Sequence, residues 1–235
     1  MTTTFITGAN KGLGLETARR LVEAGHTVLL GARDPEAGRR AAEEVGGRFV
    51  RIDVTDEASV TAAAADVEAH EGVVDVLVNN AGIAGSPAGP ADLTADDLVA
   101  VLDVNLLGVV RTTRAFLPLL RRSADPVVVN VASGLGSTRI THDPSRVEST
   151  VVAPAYTASK AALIMLTTQY AKGLPEVRTN AVDPGYTATD LNGHSGPQTV
   201  TEGTEGTDAV VRLATEGPGH GSGRFLDRDG EIGWS

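Results

Sequence analysis

From one end of the chain to the other, short runs of β-branched and apolar residues alternate with longer stretches of helical pattern. This alternation limits the fold more than any other feature, because strands separated by helix-length connections pair in parallel and need helices on both faces of the sheet. TTFITG, TVLLGAR, RFVRIDV, VDVLVNN, PVVVNVAS, VRTNAVDPG and GRFL read as about seven strands. Between them, LETARRLVEAG is a helix closed by Gly25, PEAGRRAAEEV a second, and Thr55 or Asp56 caps a third that runs to about His70. The T-x-x-D pattern at Thr94 starts one long helix that has Pro118 near its end. AYTASKAALIMLTTQYAKGL is a further helix and TDAVVRLAT a late one. The expected fold is α/β, a doubly wound parallel sheet in a single domain spanning residues 1–235.

Composition narrows the partners. Hydrophobic residues make up 41% of the 235 and charged ones 21%, as in a soluble globular protein with a core large enough to need no staples. With no cysteine, a disulfide framework, a Cys-bound zinc and a thiol nucleophile are excluded. A formal charge of −10 argues against binding nucleic acid, which is held through clustered Lys and Arg. MTTTFITGAN has neither a basic nor an apolar leader region, and no apolar run is long enough to span a membrane, so a cytoplasmic protein is expected. Two long stretches, 134–155 and 186–206, are rich in Gly, Ser, Thr and Pro. Both follow the C-terminal end of a strand, the edge where doubly wound sheets bind ligands, and so are candidate walls of a substrate site.

The first strand runs directly into TGANKGLG and then into a helix. Gly8, Gly12 and Gly14 allow a tight turn, close approach of backbone to a pyrophosphate, and close helix packing, while the helix N-terminus adds partial positive charge. An acidic residue at the end of the second strand would hold an adenosine ribose diol; here stand Ala32 and Arg33, with Lys11 inside the glycine turn. Two cations and no carboxylate favour NADP(H) over NAD(H), because Arg grips a phosphate through a fork of donors. Asp34 falls one step later, where it suits the start of the next helix.

These motifs, in this order and covering nearly the whole chain, resemble the main branch of the short-chain dehydrogenase/reductase family. The likeness rests on TGANKGLG, Asp53-Val54, NNAG at 79–82, Asn105, Ser133, YTASK with Tyr156 and Lys160, and PGYTATD from Pro184. It implies a Rossmann-type fold and a nicotinamide dinucleotide held by Gly8, Asn10, Lys11, Gly12, Leu13 and Gly14 at the turn. Arg33, Asp53 and Val54 would border the adenosine, with Asn80, Ala81 and Gly82 beside its ribose. Pro184, Gly185, Thr187 and Thr189 would face the nicotinamide side.

The resemblance also implies a catalytic tetrad of Asn105, Ser133, Tyr156 and Lys160. Alone, Tyr and Lys at i and i+4 are an ordinary helical pair; within this family the spacing serves proton transfer. Tyr156 would protonate a carbonyl oxygen as hydride arrives, and Ser133 would polarise that carbonyl. Lys160 would lower the tyrosine pKa from about 10 and bind the nicotinamide ribose. Asn105 would hold a water that links Lys160 to solvent. Ser137, four residues on, is the weaker alternative to Ser133.

Between Ser133 and Tyr156 lie 22 residues, roughly ten more than the family's usual spacing. The extension, NKG, GAR and GRFLDRDGEIGW resemble the carbonyl-reductase subgroup, which implies a monomer, with a homo-oligomer as the alternative. The expected activity is reversible NADPH-dependent reduction of a ketone, aldehyde or quinone, with a small-molecule carbonyl or alcohol as the only partner. The alternatives are a non-catalytic dinucleotide-binding sensor or scaffold and, lower, an epimerase or dehydratase. The histidines at 26, 70, 142, 194 and 220 lack metal-ligand spacing, though His142 and His194 fall in the candidate substrate loops. Trp234 is expected to pack the tail onto the core.

Overall fold

The computed structural model describes residues 1–189, 191, 193–194, 196, 199–200 and 221–233. The late helix expected at 207–215, His220 and Trp234 lie outside the described residues. Among the described residues eight strands form one sheet in the order β3-β2-β1-β4-β5-β6-β7-β8. They are β1 (Thr3–Thr7), β2 (Thr27–Ala32), β3 (Arg48–Arg51), β4 (Val76–Asn79), β5 (Val127–Val131), β6 (Arg178–Val182), β7 (Phe225–Asp227) and β8 (Gly230–Glu231). The first seven pair in parallel, and β8 adds antiparallel to β7. This is one strand beyond the expected seven, supplied by a two-residue return that Gly230 begins at φ +136°.

Period-two alternation divides the apolar strand residues between two cores. Ile6, Leu30, Val76, Val78 and Val129 pack with Ala18, Leu21 and Ala42 on one face, whereas Phe5, Leu29, Leu77 and Val128 pack with Val60, Val67 and Phe116 on the other. The first face is covered by α1 (Gly12–Glu23) and α2 (Pro35–Val45), the second by α3 (Glu57–His70) and α5 (Gly108–Leu120). Asp34 accepts from the amides of Glu36 and Ala37 and so caps α2, and Asp56 caps α3.

The chain turns outward from β1 to β2 and β3, then returns to the other side of β1 as β4, which opens a crevice above the strand ends at that reversal. The long helix expected from Thr94 does begin there, with a complete capping box between Thr94 and Asp97, but it is not continuous. α4 (Ala95–Leu102) passes through one wide turn, Asp103–Leu107, with i→i+5 hydrogen bonding before α5 begins. Such turns cluster at functional sites, and Asn105 stands in this one. Arg111 holds the wide turn to the end of β3, since its guanidinium donates to the carbonyls of Asp103 and Val54 and to the Asp103 carboxylate at 2.7 Å. Among the described residues no helix is long and apolar enough to cross a membrane.

Candidate active site

A cleft of about 620 Å³ runs along the C-terminal ends of β1 to β6, a volume within the range of small-molecule and cofactor sites. Its floor is the glycine turn, where Gly8 and Gly12 have φ of +64° and +57°, which L side chains rarely adopt. At Gly14 the reason is contact: an added Cβ would lie 2.5 Å from Asn80 Nδ2 and 2.6 Å from the Gly8 carbonyl. The turn and α1 are therefore seated against β4, and Asn80 fastens them further by donating to the carbonyls of Thr7 and Gly8 at 2.9 and 3.1 Å. The Thr7 hydroxyl accepts from the amides of both Asn80 and Ala81. This leaves the turn's backbone fixed before any ligand arrives, as an anion-binding turn requires.

At one end of the cleft lie Arg33, Asp53 and Val54; beyond the turn lie Asn80, Ala81 and Gly82, and at the far end Tyr156, Lys160 and Pro184. Of the residues expected to border a cofactor, Gly185 and Thr187 alone do not line it. The Thr187 hydroxyl is buried within 3.3 Å of the Pro184 carbonyl, so it shapes the turn from behind. Thr189 stands across from Gly12, beside the glycine turn. Ile83, Ala84, Val104, Leu191 and His194 also line the cleft. Of these Leu191 and His194 were foreseeable, from their place in a candidate substrate loop; the other apolar wall residues leave no motif. His142 is exposed and bonds to the Thr138 carbonyl one turn back on its own short helix, α6 (Thr138–Thr141).

Asp53 accepts from the amide and hydroxyl of Thr55 at 3.0 and 2.7 Å. Burial would raise its pKa, but these two bonds and the nearby Arg33 outweigh it, and the carboxyl ionises below its ordinary range.

Tyr156 and Lys160 sit one turn apart on α7 (Pro154–Gly173), which starts with Pro154 at its first position. The Ser133 hydroxyl lies beside the Tyr156 phenol. Gly136 sets that distance: an added Cβ there would lie 2.6 Å from the Lys160 carbonyl carbon, so the turn after Ser133 lies flush on the backbone of α7. Ser137 is excluded as a substitute, because its buried hydroxyl donates to the Gly233 carbonyl at 2.8 Å and accepts from the Ile140 amide.

The buried Lys160 ammonium donates to the Val131 carbonyl at 2.7 Å and stands over the Tyr156 ring, 5.6 Å from its centroid. The expected depression of the tyrosine pKa is not what the site produces. Burial pushes the Tyr156 phenol up to about 12, with the Ser133 hydroxyl opposing, and burial draws Lys160 down to about 8, with Asp183 opposing. The lysine tip donates to Val131 and stands over the ring face, and at both groups the loss of water is the largest influence.

Asn105 is occupied differently from the expectation. Its carboxamide accepts from the Ile83 amide and donates to the Ile83 carbonyl, both at 2.9 Å, and also donates to Ser159 at 3.0 Å. Both donors are used, which leaves only a lone pair of its Oδ1 for a water, and the side chain clamps the exit of β4 to α7.

Residues 2–199 match the family model described as short chain dehydrogenase. The chain belongs to the short-chain dehydrogenase/reductase family. The chain is 36% identical over 247 residues to short-chain dehydrogenase anuI of Penicillium roqueforti, covering 98% of this chain and 96% of that protein. Among solved structures it resembles NADPH-bound carbonyl reductase from chicken fatty liver, with a TM-score of 0.87, 29% identity, and coverage of 100% and 99% of the two chains. It also resembles 3-ketoacyl-(acyl-carrier-protein) reductase from Brucella melitensis complexed with NADH, with a TM-score of 0.83, 27% identity and 96% coverage of each chain. This short-chain dehydrogenase is thus an oxidoreductase whose relatives reduce carbonyls, and nicotinamide dinucleotide is its family's cofactor.

Proposed function

We propose that the protein reduces a ketone, aldehyde or quinone with NADPH, reversibly, and that Tyr156 is the proton donor. The observation that carries the reading is that Tyr156 and Lys160 line the far end of the cleft that begins on the glycine turn, with Ser133 beside the Tyr156 phenol. The fit to a dinucleotide rests on that turn, whose backbone is already fixed by Thr7 and Asn80. Gly8, Asn10, Lys11, Gly12, Leu13 and Gly14 would hold the pyrophosphate, Asp53 and Val54 the adenine, Asn80, Ala81 and Gly82 the ribose, and Pro184 and Thr189 the nicotinamide end.

When bound, the reduced nicotinamide supplies a hydride to the carbonyl carbon. Tyr156, neutral because its pKa stands near 12, donates its proton to the carbonyl oxygen. Ser133 hydrogen-bonds the same oxygen and fixes the carbonyl against the phenol. Lys160 keeps positive charge beneath the phenolate that forms, and Asn105 holds the loop and helix in register around it. Oxidation of an alcohol runs through the same groups in reverse.

The choice of NADPH rests on Arg33 and Lys11, both exposed at the adenosine end, and on Ala32 rather than an acidic residue closing β2. Initial rates with NADPH and NADH over aliphatic, aromatic and quinone carbonyls test the reading. Turnover with NADPH is expected, and tight NADPH binding without oxidation by any carbonyl overturns it. R33A should weaken NADPH by about tenfold to a hundredfold while leaving NADH nearly unchanged, the loss of one charge-assisted phosphate contact. An unchanged NADPH affinity removes the cofactor assignment.

A further inference from the structure

Behind the site lies a buried carboxyl that the reaction does not use. Asp183 follows β6 and is 3% exposed. One of its oxygens accepts from the Gly185 amide at 3.0 Å, and the other lies against the backbone of Gly134. Gly134 follows Ser133 directly, and Gly185 belongs to the Pro184 turn at the far end of the cleft. The fit is close: a Cβ on Gly134 would stand 2.7 Å from Asp183 Oδ2 and 3.2 Å from Glu148 Oε1. Glu148 comes from the segment that lengthens the spacing between Ser133 and Tyr156, and Arg146 of the same segment pairs with it at 3.2 and 3.3 Å. Asp227 of β7 completes the group: the Asp183 amide donates to the neighbouring Leu226 carbonyl at 2.7 Å, and Asp227 is itself 8% exposed.

Three carboxyls and one guanidinium thus surround the joint between two loops. Asp183 acts in turn on α7, where its negative charge favours the protonated forms of both Tyr156 and Lys160. Burial and the charges of Glu148 and Asp227 favour the neutral acid at Asp183, against the backbone amides of Gly185 and Gly134. Arg146 is held in its charged form, first by its hydrogen bonds to Glu148 against the cost of burial and then by the charges of Glu148, Asp183 and Asp227.

We propose that Asp183 is a positioning residue that holds the Ser133 turn and the Pro184 turn in one frame, and that Glu148 of the inserted segment, paired with Arg146, bears on it from the facing side. The insertion then bears on the site through Asp183, from behind the Ser133 turn. The inference rests on Ser133, Tyr156 and Lys160 being the reacting groups.

The test uses D183N, which keeps the shape but turns one acceptor into a donor. The chain has three lysines, at 11, 160 and 172, so the Lys160 side chain can be titrated by NMR of lysine-labelled protein without any turnover. In D183N the Lys160 midpoint should move to lower pH, and amide exchange at Gly134 and Gly185 should quicken. The kcat for carbonyl reduction should fall about tenfold or more, the effect of losing a charge-assisted hydrogen bond in the site. Unchanged Lys160 titration and unchanged protection of both amides overturn the proposal. E148Q provides a second reading should D183N fail to fold. With the facing charge removed, the Asp183 carboxyl carbon should titrate at lower pH, and an unmoved titration overturns the role of the insertion. If these titrations shift but wild-type protein reduces no carbonyl, the proposed activity fails and the positioning of the two loops stands.

Discussion

At the glycine turn the wall of the cleft is backbone, and every part of it comes from one contiguous stretch, Thr7 to Gly14, braced by Asn80. At the Tyr156 end the working parts are side chains brought from the exit of β5, from α7, from the wide turn at 103–107 and from the exit of β6. The first end is held by steric fit and by hydrogen bonds between backbone and neutral side chains. The second is held by buried polar and ionisable groups, whose protonation is set by how much water the surrounding loops exclude. A backbone cradle can be damaged by adding a methyl group; a side-chain centre is damaged by removing one oxygen.

Y156F should show the largest effect. Removing the proton donor should reduce kcat by about a hundredfold to ten-thousandfold, the usual worth of a general acid, while dinucleotide affinity stays near wild type. Retained turnover would erase the distinction between the two ends. G14A should act in the opposite sense, on binding and stability before kcat. Alanine in a helix gains up to about 1 kcal/mol over glycine, whereas overpacking against fixed atoms costs about 1–3 kcal/mol. Contacts of 2.5 and 2.6 Å to Asn80 and the Gly8 carbonyl make the second term the larger. Thermal unfolding should therefore occur at lower temperature in G14A, and dinucleotide titration should show weaker binding.

The smallest effect is one of pH. Lys160 ionises near 8 in the folded chain, against an ordinary value of 10.5, so its charge is present below that pH and lost above it. The reduction rate should be level below about pH 8 and fall above it. Over pH 8 to 10 the unfolded chain binds more protons at this residue than the folded one, so stability of the protein alone should rise across the window in which activity falls. Tyr156 reverses this only above its ordinary value of 10, since its folded value is raised to about 12. Denaturant melts and initial rates measured over the same pH series check the opposed slopes.

The order of strands and helices, the glycine turn and the Tyr-Lys spacing were legible because each is local: periodicity and a few fixed offsets carry them. The break in the long helix at Asp103–Leu107 was not, since a wide turn leaves the apolar pattern of α4 and α5 intact and is tied by Arg111 to Val54, more than fifty residues earlier in the chain. Ser133 could be separated from Ser137 only when the second serine was found bonded to Gly233, nearly a hundred residues away in the chain. Asp183 passed unnoticed as the residue before a Pro-Gly turn. Its significance depends on Glu148 and Asp227, which approach it from an insertion and from a neighbouring strand.

By itself the sequence determined the sheet, the family and the candidates for the reacting side chains, because backbone propensity and motif spacing act over a few residues. Tertiary structure alone decided the protonation of those side chains. A pKa depends on the water and charge within a few ångströms, and around Tyr156 and Lys160 these are supplied by β5, β6 and the segments that follow them.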